Sequence, residues 1–220
     1  MATALDKSLK NVIERITAPG ELLEVDTIER FGRPLPMLKN APPTLVAYFE
    51  QFCAQHGDTE FLVDGDERTT FAQVHAAARE VAGALIAGQG VQKGDRVGIA
   101  ARNSTNWVIA YMGVLMAGGC AALLNGWWSG DEMAAGIELT GCKLVLADAQ
   151  RAARIADLGL ATRVVVFEHD RPWRDGLSAV LAHGGDSSTP LPELTGDDIA
   201  TILYTSGSTG QSKEIGRAHV

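Results

Sequence analysis

Residues 204–213 read Tyr-Thr-Ser-Gly-Ser-Thr-Gly-Gln-Ser-Lys and gather, in one short stretch, the groups suited to holding a polyphosphate. Gly207 and Gly210 allow positive φ, so successive backbone N–H groups can turn inward as an anion nest. Thr205, Ser206, Ser208 and Thr209 carry hydroxyls that can donate to phosphate oxygens, and Lys213 adds a point charge. The apolar run just before it, Ile199, Ala200, Thr201, Ile202 and Leu203, reads as a buried strand that would present the loop at its end. A flexible Gly/Ser surface turn has the same composition and is the competing reading.

Two phosphate-binding patterns are excluded. A Walker loop needs four residues between its glycines and then Lys-Ser/Thr, whereas Gly207 and Gly210 are three apart and Lys213 follows Ser212. No G-x-G-x-x-G stands here, so the dinucleotide fingerprint is not the match. The segment instead resembles the signature loop of the AMP-forming acyl-CoA synthetase and adenylate-forming enzyme superfamily, usually Tyr-Thr-Ser-Gly-Ser/Thr-Thr-Gly-x-Pro-Lys-Gly. It departs at Ser212, where proline is usual, which loosens the loop without removing a phosphate ligand.

The resemblance continues upstream. Gly94, Asp95, Arg96, Val97, Gly98 and Ile99, followed by Asn103 and Ser104, look like the early strand-and-turn block of these synthetases. Residues 112–119, Met-Gly-Val-Leu-Met-Ala-Gly-Gly, resemble their next block, and Asn125 sits where the family often has Asn-Pro. The likeness covers about residues 40–213 and implies the N-terminal part of the large adenylating domain. It implies that Thr205, Ser206, Gly207, Ser208, Thr209, Gly210 and Lys213 wrap the phosphates of ATP with its Mg²⁺, and that coenzyme A is the usual thiol acceptor. By the same resemblance no residue present here is catalytic. The Tyr-Gly-x-Thr-Glu block around adenine and Mg²⁺, the ribose-binding aspartate and the C-terminal lysine belong to sequence beyond residue 213.

Residues 214–220 read Glu-Ile-Gly-Arg-Ala-His-Val, where the motif continues with glycine. This stretch is similar to a translated short-read sequencing adapter, AGATCGGAAGAGCACACGTC. Its bases from the third onward encode Ile-Gly-Arg-Ala-His-Val, and its first two complete a glycine codon's leading G to GAG, the glutamate at 214. We therefore expect 214–220 to be a non-native tail; a divergent natural terminus is the alternative.

Composition bounds the rest. Hydrophobic residues at 46% and charged residues at 21% describe an ordinary globular chain with room for a core. The net charge of -8, without a basic cluster, argues against nucleic acid or an anionic membrane as the main partner. Cys53, Cys120 and Cys142 lie far apart with no CxxC, which suggests buried thiols in a reducing, cytoplasmic setting and no metal site. No signal-peptide core is expected at the N-terminus, because charges interrupt it. There Leu5, Leu9, Val12 and Ile16 recur at helical spacing and predict a short amphipathic helix packed on the body. Residues 103–130 carry no charge and approach the length of a membrane span, but Gly113, Gly118 and Gly119 divide them into a helix and a strand, so no transmembrane segment is expected.

The elements that must position the loop alternate. Residues 1–43 are expected to form the helix and a proline-rich segment wrapping the surface, and 44–213 the partial large domain. Thr44 caps a helix to about 55 with Leu45, Tyr48, Phe49 and Phe52 on one face. A β-hairpin follows over 61–70, then helix Phe71–Ala87 with Val74, Ala78, Val81 and Leu85 inward, and strand Arg96–Ala100. Helix 107–117, strand 120–124, helix 131–140, strand 143–147, helix 149–158, strand Arg163–Phe167 and helix 173–182 complete the series, and a Gly/Ser/Pro linker over 183–192 leads to the last strand. The alternation predicts an α/β fold with a mainly parallel sheet, flanking helices and one short β-hairpin.

Other candidates are weaker. Trp127 and Trp128 read either as the entrance for an acyl or aromatic substrate or as core or subunit interface. His56, His75, His169 and His183 read as surface residues, and Asp197 and Asp198 as a turn or cap rather than a metal site. The implied activity is that of an acid–CoA ligase acting on a small carboxylic acid, fatty or aromatic; this stretch alone is expected to be inactive. A carrier-protein-loading adenylation domain is the near alternative, and a non-catalytic nucleotide-binding or membrane-associated module the distant one. Sequencing the gene past codon 213 is expected to show glycine at 214 and continued coding sequence in place of the adapter string; a native stop after the present tail would overturn that reading.

Overall fold

The computed structural model describes residues 3–30, 32–206 and 212–218, with side chains followed as far as Tyr204. The chain divides into two compact units, Met1–Pro42 and Pro43–Val220.

In the first unit, helix α1 (Ala4–Ile16) starts at Thr3, whose hydroxyl accepts from the Asp6 N–H while the Asp6 carboxylate accepts from the Thr3 N–H, a reciprocal capping box. Within this unit the apolar residues of the helix are left uncovered, Leu5 at 68% and Leu9 at 53% exposure. Strands β1 (Val25–Arg30) and β2 (Arg33–Leu38) pair antiparallel, a hairpin where only a wrapping segment was expected. Pro34 and Pro36 concealed it. They fall on alternate positions, opposite Glu29 and Thr27, where a strand N–H points away from its partner and its loss costs the ladder nothing.

The second unit opens with α2 (Leu45–His56), capped by Thr44 as expected. Its buried face is Val46, Phe49 and Cys53; Tyr48 is exposed, so the stripe is rotated from the one predicted. The hairpin β3 (Glu60–Asp64) and β4 (Glu67–Thr70) leads into α3 (Phe71–Ala87), where Thr70 and Gln73 form a capping box and Val74, Ala78, Val81 and Leu85 are fully buried. There follow β5 (Arg96–Ala100), α4 (Thr105–Met116), β6 (Cys120–Leu123), α5 (Gly130–Thr140), β7 (Leu144–Asp148), α6 (Ala149–Ala156) and β8 (Arg163–Phe167). The helix expected over 173–182 is two short ones, α7 (Trp173–Gly176) and α8 (Ser178–Leu181). They break at fully buried Leu177, next to Gly176, against which the Asn106 amide bonds the carbonyls of Glu168 and Arg171. Strand β9 (Ile199–Ser206) and strand β10 (Ser212–Ala218) close the chain. Backbone N–H and C=O groups suffice for the pairing of 214–218 with β9, and any proline-free sequence supplies them.

The six strands lie in the order β10-β9-β6-β5-β7-β8, five of them parallel and β10 antiparallel at the edge. Because β5 is central and both faces are covered, its residues are apolar on alternate sides. Val97 and Ile99 join a core with α2, α3, α4 and α8; Ala100, with Val145 and Ala147 of β7, joins a second core under α5 and α6. The uncharged stretch 103–130 thus supplies α4, β6 and the loop after it. Among the described residues no helix is long and apolar enough to cross a membrane.

The crossover from α8 to β9 lies directly on α3. Arg79 donates to the Thr189 carbonyl at 2.8 Å, and Lys93 reaches both the Glu193 carbonyl and the Asp198 carboxylate at 2.8 Å. Gly83 makes this approach possible, since a Cβ there would overlap the backbone of Asp186, 2.7 Å from its carbonyl carbon. Gly83→Ala should therefore destabilise the full-length protein by about 1–3 kcal/mol despite alanine's better helix propensity, read as a lowered midpoint in chemical denaturation.

Candidate functional site

The strand order reverses at β5: the chain steps to β6 on one side and to β7 and β8 on the other. Connections leaving the carboxyl ends of neighbouring strands therefore depart toward opposite faces and leave a crevice, the usual ligand position in such sheets. A cavity of about 410 Å³ lies there, floored by Ile99 and Leu123 and walled by Arg102, Trp107, Trp127 and Arg151.

Strand β9 pairs in parallel with β6, so its end emerges at the same edge. It runs three residues further than expected, making Tyr204 a strand residue. The Tyr204 hydroxyl donates to the Gly136 carbonyl at 2.8 Å, and its ring meets Trp128 edge-on at 4.8 Å. Deeper in the strand, the hydroxyls of Thr201 and Tyr111 lie 2.8 Å apart; burial, partly offset by this bond, pushes the Tyr111 phenol above its ordinary value. The return strand sets Ser212 opposite Ser206 and Lys213 opposite Thr205. The backbone thus brings Thr205, Ser206 and Lys213 to one end of one hairpin. Gly207, Ser208, Thr209 and Gly210 lie outside the described residues, as do the side chains of the other three.

A clamp that the sequence did not reveal holds the loops around this edge. Asp148, the last residue of β7, is 2% exposed. Its carboxylate accepts from the Arg102 N–H after β5 at 2.9 Å, caps α6 at the Arg151 N–H and pairs with the Arg151 guanidinium at 2.8 Å. Arg151 Nε in turn donates to the Gly126 carbonyl, and Arg154 to the carbonyls of Gly126 and Trp128, all at 3.1 Å. One buried ion pair therefore fixes the turn after β5, the loop after β6 and the start of α6. The tryptophan pair is split by this loop: Trp128 is core at 8% exposure, whereas Trp127 is 88% exposed at the crevice.

The remaining candidates lie elsewhere. Asp198 accepts from the Thr195 N–H and hydroxyl and pairs with Lys93; burial works against its charge, but these bonds outweigh it and hold the carboxyl below its ordinary range. It is a turn cap. His56 stacks on Phe52, and His75 lies 4.0 Å from Glu50, both away from the crevice. The cysteines are buried; burial, and secondarily Glu50, pushes the Cys53 thiol up to about 11, and burial also raises Cys142. Thiols in that state are poor nucleophiles. Among the described residues no three His, Cys, Asp or Glu side chains gather as a metal site.

The family model for the AMP-binding enzyme matches residues 49–219. The chain belongs to this family of adenylate-forming ligases and represents the N-terminal part of its large domain. It is 29% identical over 177 residues to the medium/long-chain-fatty-acid–CoA ligase FadD6 of Mycobacterium tuberculosis, covering 79% of this chain and 29% of that protein. Among solved structures, the inhibitor-bound N-terminal domain of FACL13 from Mycobacterium tuberculosis superposes with a TM-score of 0.70 at 26% identity, covering 80% of this chain and 44% of that one. An artificially fused adenylation–carrier didomain, NpsA-ThdA from Klebsiella oxytoca, shares the fold with a TM-score of 0.69 at 20% identity, covering 82% of this chain and 34% of that one. The chain thus spans under a third of the curated relative and under half of either solved structure.

Asp148→Ala would strand the Arg151 charge in a buried setting and remove the α6 cap. It should destabilise the full-length protein by about 3–5 kcal/mol, measured by equilibrium unfolding, with Asp148→Asn falling between it and the parent.

Proposed function

We propose that the intact protein is an acid–CoA ligase, an acid–thiol ligase that activates a small carboxylic acid with ATP. In this reading Thr205, Ser206, Gly207, Ser208, Thr209, Gly210 and Lys213 cradle the β- and γ-phosphates of ATP, with Mg²⁺ carried on the triphosphate. A carboxylate oxygen attacks the α-phosphorus, the bond to the β-phosphate oxygen breaks, and pyrophosphate leaves. The thiol of coenzyme A, as thiolate, then attacks the acyl carbonyl and AMP departs. Positioning and charge neutralisation dominate such chemistry, so amides, hydroxyls and one lysine are adequate tools. Groups that complete the adenine, ribose and Mg²⁺ contacts belong to the remainder of the large domain, and 214–220 to a tail foreign to it.

The observation that supports the reading is the backbone position of Thr205, Ser206 and Lys213. The strand leading into them, β9, is parallel to β6 and so ends at the same edge of the sheet as the crevice, and β10 sets Lys213 opposite Thr205. Similarity to a fatty-acid–CoA ligase supports a fatty substrate and the thioester product. The fold shared with an adenylation–carrier didomain favours a carrier-protein thiol as the second choice of acceptor. Three buried cysteines suit a cytoplasmic protein.

In the full-length enzyme, Lys213→Ala and a Gly207→Val/Gly210→Val pair are each expected to cut ATP–pyrophosphate exchange by about 10²-fold. Exchange that survives both within about twofold would refute the nucleotide assignment, and thioester formation with CoA or with a carrier protein decides the acceptor.

A further inference from the structure

We infer that Trp128 is a positioning residue for the nucleotide site, acting with Gly136 and Tyr204 as the joint that aligns the end of β9. This rests on the nucleotide reading above. Tyr204 directly precedes Thr205, so its ring is the last side chain to orient the strand before the phosphate-type residues begin. The contacts that hold that ring include the edge-on meeting with Trp128, interplanar angle 81°, and the hydroxyl bonds to the Gly136 carbonyl and, at 3.4 Å, to the Thr140 hydroxyl on α5. Aromatic pairs of this geometry prefer a defined orientation, so the ring of Trp128 sets the tilt of Tyr204.

Trp128 is itself constrained on every side. Its indole lies across α5 where that helix has no side chain; a Cβ at Gly136 would fall 2.6 Å from ring carbon Cζ3. Its N–H closes a turn onto the Asn125 carbonyl at 3.1 Å, and its carbonyl accepts from Arg154. The same arginine, with Arg151, grips Gly126, and Arg151 is anchored by Asp148. A continuous set of contacts therefore runs from the buried ion pair, through the loop after β6, to the residue that launches the signature loop. Core packing alone would make Trp128 a stability residue. The joint predicts in addition a selective effect on ATP.

The test uses the full-length enzyme, with kinetics of ATP–pyrophosphate exchange, calorimetric ATP binding and thermal midpoints. Gly136→Ala and Trp128→Leu should each raise the KM for ATP by about fivefold or more, with the KM for the carboxylate within about twofold of the parent. Trp128→Phe should recover most of the loss. Tyr204→Phe, which keeps the ring and deletes the hydroxyl's bonds to the Gly136 carbonyl and to the Thr140 hydroxyl, should shift the ATP KM in the same direction by about threefold, so a misfolded leucine variant leaves the test intact. Trp128→Leu combined with Tyr204→Leu should cost little more than the worse single change, because one contact is removed twice. Val63→Ala, at an exposed site in the β3–β4 hairpin, should change nothing. Lowered thermal midpoints with an unmoved ATP KM would overturn the joint while leaving the nucleotide assignment standing. A parent enzyme that neither binds nor turns over ATP would overturn both.

Discussion

The carboxylate of Asp148 is the interaction on which the functional edge of this protein depends. It sits at the end of an interior strand, almost wholly removed from water, where an unpaired charge is untenable. Its partners resolve the charge and at the same time join three chain segments, the turn after β5, the start of α6 and, through Arg151, the loop after β6. A well-packed apolar pair would often give equal stability. It would not supply directional donors to the Gly126 carbonyl, so the ion pair contributes geometry that apolar packing lacks.

The same economy of contacts appears at β9. That strand has a single ladder to the body of the sheet, the short pairing with β6, and further fixing comes from side chains. Tyr111 bonds Thr201 from one face, while Trp128 and Gly136 hold Tyr204 from the other. Lys93 and Arg79 pin the incoming crossover. A strand that must present phosphate-binding groups is thus located by opposed contacts on both faces, which restrain tilt as well as translation.

Much of this architecture was legible in the sequence. Helix α3 was found with its true ends because Val74, Ala78, Val81 and Leu85 recur at helical spacing; the Thr70/Gln73 capping box that fixes its start was seen only in the structure. The parallel strands were found because they are short apolar runs bounded by glycine or charge. What stayed hidden has physical reasons. Prolines at alternate positions masked the β1–β2 hairpin, since proline counts against a strand until its register is known. The face of α2 was misjudged because large side chains were weighed above the smaller Val46 and Cys53 that reach the core. Asp148 and Arg151, spaced i and i+3 at a helix start, went unremarked, because nothing local marks them as buried; the Arg151 bond to the Gly126 carbonyl comes from the distant loop after β6. Trp127 and Trp128 are adjacent on an irregular loop, where no periodicity tells inward from outward.

The pairing of Ala121 on β6 with Thr201 on β9 spans the whole of β7, α6, β8 and the crossover. As the chain leaves the ribosome, β6 must wait with one row of amides bare until that distant stretch emerges. The waiting edge is apolar, the kind of surface that recruits foreign strands. Synthesis in a cell therefore sets a race between the arrival of residue 199 and capture by a neighbour, and chaperone demand should peak during that interval.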